Sequence, residues 1–320
     1  MLAALLARLR RLHPHAAIDL TVAPPLLPLF AGRPYGAEAL AYDPRKPGTV
    51  RAVTGRGPFD LALVPGENRY ALLARAAGAR WIVALDGDRP RWKNRAADEL
   101  VPWPQAPSNL ADIFASLAGA GDDAYEPGDW PAPPCAPCAL PSGPYAVLHV
   151  GAGSPLRLWP AARWRMVAAH LAGRGIAPVW SAGPGETELV DAIDPERRHA
   201  SLAGTLDLAQ MWHLLAGARL LVAPDSGILH LAKLAGTPTA GLFGPGSDIL
   251  FGPGRFWRRH RFEAVIAADF PCRDQNTLFG RELAWVRRCQ RGPDRCAAAA
   301  CMEALAPARV IEACERLLSS

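Results

Sequence analysis

The chain has 320 residues, half of which are hydrophobic, and a formal net charge of +5. This length allows two domains of ordinary size, each with its own core. The basic residues are spread along the sequence, and only the run at 255–261 is locally basic, which we interpret as a solvated loop. These features argue against a nucleic-acid-binding protein and leave open a weak attraction to acidic lipid head groups.

The first 14 residues mix apolar residues with Arg8, Arg10 and Arg11. They lack the basic stretch before an apolar core that is typical of a signal peptide, and we predict an amphipathic helix there. No apolar run in the sequence is long enough to span a bilayer. We therefore expect a cytoplasmic protein, in which the seven cysteines are thiols or metal ligands rather than disulfides.

Short apolar strands alternate with helical patterns in both halves of the sequence. This alternation predicts an α/β fold with parallel sheets that are covered by helices on both faces. The elements predicted in the first half are strands at 17–22, 60–64 and 81–85 and helices at 68–77 and 110–117. Gly78 is a natural C-cap for the first helix, and Ser108 or Asn109 can cap the second helix.

The second half has a more regular pattern, which is typical of a doubly wound nucleotide-binding domain. The elements predicted there are strands at 145–150, 177–181, 220–223 and 238–243 and helices at 161–172, 186–193, 208–215 and 227–234. A Pro- and Gly-rich stretch without apolar period precedes them and is predicted to be a linker. The predicted organisation is an N-terminal domain at 1–120, the linker at 121–143, a C-terminal domain at 144–305, and a helix at 306–320 that packs back on the N-terminal domain.

The most informative motif lies where the strand at 220–223 ends and a helix begins at once. Ser226 can cap that helix, and Gly227 lets a ligand approach the backbone closely. Free N–H groups and the positive end of the helix dipole suit phosphate oxygens at this point. Asp225 can accept hydrogen bonds from sugar hydroxyls, and His230 follows one turn later. Taken alone, Asp225 could equally be an N-cap and His230 a packed helix residue.

Several ordered motifs together resemble glycosyltransferase family 9. That family carries a D-[ST]-G-x-x-H-L-A segment followed by G-x-P and L-F-G-P, a G-x-[GS] turn that leads to [KR]-x-W-P, a Gly-rich turn that leads to a Glu, and a Leu-Ala-Gly-Thr segment. The corresponding segments here are 225–232, 236–245, 151–160, 183–186 and 202–205. The match is dense over 145–255 and loose elsewhere.

The resemblance implies a GT-B architecture of two doubly wound Rossmann-like domains with an active site in the cleft between them. It implies that the second domain binds a nucleotide sugar, typically ADP-heptose, and that the first binds an acceptor. The acceptor it implies is a lipopolysaccharide-core saccharide or another surface glycan, with a secreted protein as an alternative. A lipid-linked acceptor would favour peripheral association with the cytoplasmic face of the inner membrane.

The resemblance also assigns roles to individual residues. Those expected at the diphosphate are Gly153, Ser154 and Arg157. Those expected at the ribose and the adenine are Glu186 and Leu206. Those expected to hold the sugar together with the diphosphate are Asp225, Ser226, Gly227 and His230. Arg157 stands where the family usually has Lys, and a guanidinium can bind two phosphate oxygens. The alternative is a surface arginine beside a packed Trp159.

The family chemistry is an inverting single displacement. A base takes a proton from the acceptor hydroxyl, the oxygen attacks C1, and the nucleoside diphosphate leaves. Arg157, Asp225 and the amides of Ser226 and Gly227 are the groups expected to support catalysis as the leaving group gains charge. Hydrogen-bond donors and the helix dipole can do this without a divalent metal, so no cofactor is expected.

The sequence departs from the family pattern at its start. Family members usually begin with a strand and a Gly-Asp loop whose Asp is the expected base, whereas this sequence begins inside the helix that follows. Three explanations compete: a misassigned start codon, which we favour, a substitute carboxylate, or a protein that is not a transferase. If the sequence is complete, Glu67 is the best substitute base because it follows the strand at 60–64. An exposed helix-start carboxylate is the common alternative for Glu67, and Asp86 and Asp88 are weaker candidates.

Four cysteines lie in one loop-rich segment and could together hold zinc or iron. They are Cys272, Cys289, Cys296 and Cys301. Their spacing lacks paired C-x-x-C knuckles, so structural thiols are the default interpretation. Two functions compete with the transferase hypothesis: a catalytically inactive sugar-nucleotide-binding homologue that acts through a partner, and an epimerase of the other GT-B branch, which the Asp-Ser-Gly-x-x-His segment fits less well.

Overall fold

The computed structural model describes residues 1–267 and 270–319, which form two compact units. The first unit contains Met1–Pro133, Gly254–Phe256 and Asn276–Val286, and the second contains the other described residues. The first unit therefore includes part of the predicted linker. Tyr125 and Trp130 explain this, because both are buried, and the Trp130 indole donates to the carbonyl oxygen of Leu29 at 2.9 Å.

The first unit combines parallel-paired strands with α-helices. They are α1 (Ala3–Leu12), β1 (Ile18–Val22), β2 (Ala37–Ala41), α2 (Pro47–Thr54), β3 (Phe59–Val64), α3 (Tyr70–Ala76), β4 (Ala79–Leu85), β5 (Glu99–Val101) and α4 (Leu110–Ala115). β1 pairs with β2, and in a second sheet β4 lies between β3 and β5. The predicted helix at the start of the chain is confirmed as α1, and Asn109 caps α4 by accepting a hydrogen bond from the amide of Ala111 at 3.0 Å.

The second unit is built on one six-stranded parallel sheet. Its strands are β6 (Tyr145–His149), β7 (Ala177–Ser181), β8 (Ala200–Ser201), β9 (Leu220–Pro224), β10 (Thr239–Phe243) and β11 (Phe262–Ile266). Its helices are α5 (Ala161–Gly173), α6 (Thr187–Ile193), α7 (Leu208–Ala216), α8 (Gly227–Ala235), α9 (Asp248–Phe251), α10 (Ala300–Glu303) and α11 (Pro307–Ser319). The strand order is β11-β10-β9-β6-β7-β8, so the winding direction reverses between β6 and β9. The predicted doubly wound α/β organisation is confirmed here.

The structure corrects the prediction for the C-terminal helix. α11 belongs to the second unit rather than packing back on the N-terminal domain. Its buried side chains recur at helical spacing and join the core of the second unit: Val310, Ala313, Cys314 and Leu317. On the same helix, Glu315 lies 2.6 Å from both His170 Nε2 and Arg174 Nη1 of α5. An amphipathic pattern therefore predicted the helix but not the sheet against which it packs.

A short antiparallel hairpin of β12 (Thr277–Leu278) and β13 (Arg281–Glu282) returns to the first unit. Arg281 is only 2% exposed. Its guanidinium donates to the carbonyl oxygens of Gly66 at 2.8 Å and Leu85 at 2.7 Å, and to Asn68 Oδ1 at 2.8 Å. These buried contacts explain why the hairpin does not follow the predicted boundary at 144–305.

We expect the start of α7 to depend on a capping box. The Asp207 carboxylate accepts from the Gln210 amide at 2.8 Å, and the Gln210 side chain accepts from the Asp207 amide at 3.0 Å. Asp207→Ala should cost about 1 kcal/mol of stability and lower Tm by about 2–4 °C, since an N-cap acceptor is lost. Asp207→Ser, which keeps an acceptor, should retain most of the Tm in calorimetry. Equal losses in both variants would contradict the capping role.

Candidate functional site

The candidate site lies at the carboxyl ends of β6 and β9, which are neighbours in the sheet. Val147 pairs with Leu221 and Leu148 with Val222 in the parallel register. Because the strand order reverses between these two strands, the turns that follow them lie at the place on the sheet edge where open α/β sheets bind ligands. The turn after β6 carries Gly153, Ser154 and Arg157, and the turn after β9 carries Asp225, Ser226 and Gly227. The structure therefore brings together six of the predicted site residues.

Arg157 makes the direct link between these two turns. Its Nη1 donates to the main-chain oxygen of Asp225 at 2.8 Å and lies 3.6 Å from Asp225 Oδ2. Ser154 precedes it in a single 3₁₀ turn, where the Ser154 hydroxyl accepts from the Leu156 amide at 3.4 Å. Trp159 is buried and donates from its indole to the carbonyl oxygen of Leu305 at 3.1 Å. Arg157 therefore connects the turn after β6 to the turn after β9, and it is not merely a surface arginine beside Trp159.

Two buried oxygen atoms in the second turn have no hydrogen-bond partner among the described residues. They are Oδ2 of Asp225 and Oγ of Ser226. Ser226 occupies the N-cap position of α8, but its side chain makes no capping hydrogen bond, so the prediction that it caps the helix is wrong. Buried polar atoms are nearly always paired, and orphaned ones beside a helix start indicate a place for a polar ligand.

The electrostatics of Asp225 set it apart from an ordinary surface carboxylate. Asp225 is only 4% exposed. Burial raises the pKa of Asp225, and the positive charges of Arg157, Lys233 and Arg288 lower it in turn. Burial thus favours the neutral form of the carboxyl group, whereas the three cations favour its charged form. A partly exposed cation close to a buried acid is a common feature of functional sites.

The glycines of the site fall into two classes. A Cβ at Gly153 or Gly227 would meet no atom of residues 1–267 or 270–319 within 4 Å. A Cβ at Gly246, in contrast, would collide with the carboxylate of Asp225. Gly246 is therefore required for packing, whereas Gly153 and Gly227 border open space that a ligand can enter.

Glu186 joins the turn after β6 to the turn after β7. Its carboxylate accepts from the amides of Ala152 at 3.1 Å and Gly183 at 2.7 Å. A Cβ at Gly151 would collide with the same carboxylate. A carboxylate has about four acceptor positions, so these two hydrogen bonds leave capacity for a ligand hydroxyl.

The other two predicted ligand contacts also flank this edge of the sheet. His230 lies in α8, and its ring packs edge-on against Phe251 with 6.0 Å between ring centroids. Burial is the main cause that lowers the pKa of His230 well below its ordinary value, so the ring is neutral at physiological pH. Leu206 is half-buried in the connection between β8 and α7.

The acidic candidates of the first unit are engaged with neighbours in that unit. Glu67 follows β3 and is ion-paired with Arg69 Nε at 2.9 Å and Lys93 Nζ at 4.0 Å. Asp88 is fully buried, accepts from the Asn68 amide at 2.7 Å and lies 3.3 Å from Lys93 Nζ. Asp86 accepts from the amide of the next residue at 2.6 Å. Glu67 is half-buried, with a side chain that is 33% accessible, whereas Asp86 is exposed.

The cysteines do not form a metal-binding group in the part of the chain that the structure describes. All seven are free thiols. Cys301 packs beside Gly244, and the Cys289 amide donates to the carbonyl oxygen of Pro245 at 2.8 Å. The segment that carries Cys289 therefore lies against the loop after β10. The proposed set of Cys272, Cys289, Cys296 and Cys301 has no ligand geometry for zinc or iron.

Two residues near the site, Lys233 and Arg288, were not predicted from the sequence. Lys233 is 1% exposed and donates from Nζ to the carbonyl oxygens of Phe251 at 2.6 Å and Gly252 at 2.5 Å. A lysine within the otherwise apolar segment at 231–235 was the available signal. Arg288 acts on Asp225 through its charge, but nothing in its local pattern distinguishes it from the neighbouring Arg287.

Comparison with known proteins identifies the family of this chain. The model of glycosyltransferase family 9 (heptosyltransferase) matches residues 55–273, more than half of the chain. The chain belongs to glycosyltransferase family 9. Lipopolysaccharide heptosyltransferase 1 of Pseudomonas aeruginosa is 31% identical over 233 residues, which cover 67% of this chain and 61% of that relative. The chain thus matches less than two thirds of the length of this family 9 relative.

Solved structures show the same fold. A family 9 glycosyltransferase from Veillonella parvula aligns with a TM-score of 0.76 and 17% identity, and the match covers 99% of this chain and 93% of that chain. The E. coli heptosyltransferase WaaC with ADP-2-deoxy-2-fluoro heptose aligns with a TM-score of 0.65 and 17% identity, covering 89% of this chain and 92% of that chain. These similarities confirm the GT-B fold class for this family 9 protein.

No helix within residues 1–267 and 270–319 of this family 9 protein has the length and apolar character needed to cross a bilayer.

Proposed function

We propose that this family 9 protein transfers a heptose from ADP-heptose to a saccharide acceptor of a lipopolysaccharide core, with inversion at C1. One observation carries the proposal: the buried oxygens Asp225 Oδ2 and Ser226 Oγ, which have no hydrogen-bond partner among the described residues, lie at the start of α8, beside Arg157. The name of the P. aeruginosa relative and the ADP-sugar analogue in the WaaC structure support the choice of acceptor and donor.

The proposed donor site divides into a phosphate region and a nucleoside region. In the phosphate region, the diphosphate meets the guanidinium of Arg157 and the backbone at Gly153, Ser154 and Gly227. The sugar hydroxyls donate to Asp225, whose Oδ2 accepts no hydrogen bond from the part of the chain that the structure describes. Ser226 and neutral His230 complete this region.

In the nucleoside region, Glu186 accepts the ribose hydroxyls with the lone pairs that its two backbone hydrogen bonds leave free. Leu206 provides an apolar contact for the adenine. Both residues lie in connections at the carboxyl edge of the six-stranded sheet.

The proposed reaction is a single displacement. A base removes the acceptor proton as the acceptor oxygen forms its bond to C1, and the bond from C1 to the diphosphate oxygen breaks so that ADP leaves. The leaving oxygen gains negative charge, which Arg157 and the N–H groups at the start of α8 stabilise. Glu67 remains the candidate base, and Glu67→Gln tests it. The proposed site of action is the cytoplasmic face of the inner membrane, where a lipid-linked acceptor would be found.

Glycine variants test the donor site without disturbing the protein interior. Gly227→Ala and Gly153→Ala should each weaken ADP-heptose binding by roughly tenfold or more, because the added methyl group occupies space that the donor enters. Neither methyl group meets an atom of the described residues within 4 Å, so Tm should not fall. Gly173→Ala is the matched control, since its methyl group is equally unobstructed and lies at the end of α5.

The assay measures ADP-heptose binding by calorimetry and ADP release in the presence of a lipopolysaccharide acceptor. If all three glycine variants bind ADP-heptose as tightly as the wild-type chain does, the proposed site is contradicted. Donor binding by the wild-type chain without ADP release would favour the inactive sugar-nucleotide-binding homologue instead.

A further inference from the structure

The loop that follows β10 lies against the candidate site. Gly246, in this loop, packs so closely on Asp225 that a Cβ could not be accommodated. Arg273 Nη2 donates to the Gly246 carbonyl oxygen at 2.5 Å. The Cys289 amide donates to the carbonyl oxygen of Pro245 at 2.8 Å. Two segments from later in the chain therefore hold this loop in place beside Asp225.

The backbone of Arg288 is held by hydrogen bonds to Gln275 and by its neighbour Cys289. Its amide donates to the Gln275 carbonyl oxygen at 3.2 Å, and its own carbonyl oxygen accepts from the Gln275 amide at 3.0 Å. The next residue is Cys289, which is bonded to the loop. Arg288 is half-buried, whereas the neighbouring Arg287 is exposed. The backbone of Arg288 is thus fixed on both sides, and its side chain starts close to the loop that touches Asp225.

The charges of Arg288, Arg157 and Asp225 act on one another. Burial lowers the pKa of Arg288, the charge of Arg157 lowers it further, and the charge of Asp225 raises it. This group of three contains two guanidinium groups and one carboxylate, so it has a net positive charge. Like charges in a partly buried place repel each other, and a bound anion would relieve that repulsion.

We propose that Arg288 is a second phosphate-binding arginine of the donor site, which contacts the phosphate next to the sugar. The position beside Asp225, the proposed sugar-binding carboxylate, favours that phosphate over the one next to the ribose. Arg288 and Arg157 then bind the diphosphate together and stabilise it as it leaves. This inference rests on the proposed function, because it assigns a further residue to the same donor.

The test compares ADP with AMP, which lacks the outer phosphate. Calorimetry gives Kd for both nucleotides with the wild-type chain, Arg288→Gln and the exposed control Arg287→Gln. Arg288→Gln should weaken ADP binding about 10- to 100-fold and leave AMP binding within about threefold, as expected for one charge-assisted contact to the outer phosphate. Arg287→Gln should change neither Kd. Arg288→Lys should retain part of the ADP affinity, since it keeps the charge without the fork.

A structural role for Arg288 makes a different prediction. Equal losses for ADP and AMP, or unchanged ADP binding in Arg288→Gln, would overturn the proposal. If Arg288→Gln fails to fold, Arg288→Lys decides in the same way: a loss confined to ADP supports the proposal, and equal effects on both nucleotides overturn it. A wild-type chain that binds neither nucleotide would contradict the proposed function itself, whereas tight ADP binding that Arg288→Gln leaves unchanged contradicts only the role of Arg288.

Discussion

Arg157→Ala is expected to lower kcat for ADP release from ADP-heptose by about 10²- to 10³-fold, the usual effect of removing one preorganised donor at a developing negative charge. The Arg157 guanidinium lies between Asp225 and open solvent, with its side chain 36% exposed. It can therefore hold the Asp225 main chain and still meet phosphate oxygens. Because negative charge on the diphosphate grows as the bond to C1 breaks, kcat should fall more than KM rises. Steady-state kinetics at saturating acceptor measures this difference.

Two further variants separate charge from structure in the Arg157 experiment. Arg157→Lys should recover part of kcat, since a lysine supplies the charge but not two parallel hydrogen bonds. Arg287→Ala removes an exposed arginine from the same unit and should leave kcat unchanged. Thermal unfolding checks whether the lost hydrogen bond to the Asp225 carbonyl weakens the fold. A kcat for Arg157→Ala within about threefold of the wild-type value would contradict the assignment.

Four strands of the second unit, β6, β7, β9 and β10, were predictable from sequence because nearly all of their residues are buried. β8 and β11, which are more exposed, were not predicted. β7 matches the predicted strand at 177–181 residue for residue. α8 begins at Gly227 as predicted and ends at Ala235, one residue beyond the predicted end, where Gly236 caps it with a φ of 78°, a left-handed conformation that favours glycine. Buried strands require apolar residues at nearly every position. They therefore form continuous apolar runs bounded by turn residues, which can be recognised in the sequence.

The first unit was harder to predict because several of its elements are only half-buried. β2 includes Glu38 and leaves most of its residues partly exposed, and β5 has only three residues. α2 starts at Pro47 and buries a single side chain, that of Val53. Short elements of this kind have too few buried positions to show a period of two or of 3.6.

The candidate site was predictable only where it is local in sequence. Asp225, Ser226 and Gly227 follow one another, so a strand-to-helix turn was enough to identify them. Gly246 and Arg288 approach Asp225 through long-range packing, which no local pattern encodes. The absence of a capping bond from Ser226 likewise depends on the direction of one side chain.

Asp225→Asn is expected to separate stability from activity. It should lower kcat/KM about 100-fold, because an amide keeps the shape but removes the negative charge that we propose binds the sugar hydroxyls. It should also raise the free energy of unfolding at neutral pH by about 0.5–2 kcal/mol, since burial disfavours the charged carboxylate in the folded chain. Asp191→Asn, an exposed substitution on α6, is the matched control for both measurements.

The pH dependence of this stability gain has a definite sign. Burial raises the pKa of Asp225 in the folded chain above its usual value of 3.8. The folded state therefore binds the proton more tightly than the unfolded state does, and the stability from this residue is present below pH 3.8 and is lost as pH rises through the raised pKa. The Tm of Asp225→Asn minus that of the wild-type chain should accordingly increase with pH through this window and then level off. A difference that shrinks as pH rises would mean that the cations around Asp225 outweigh its burial, and the carboxylate would then stabilise the fold in its charged form.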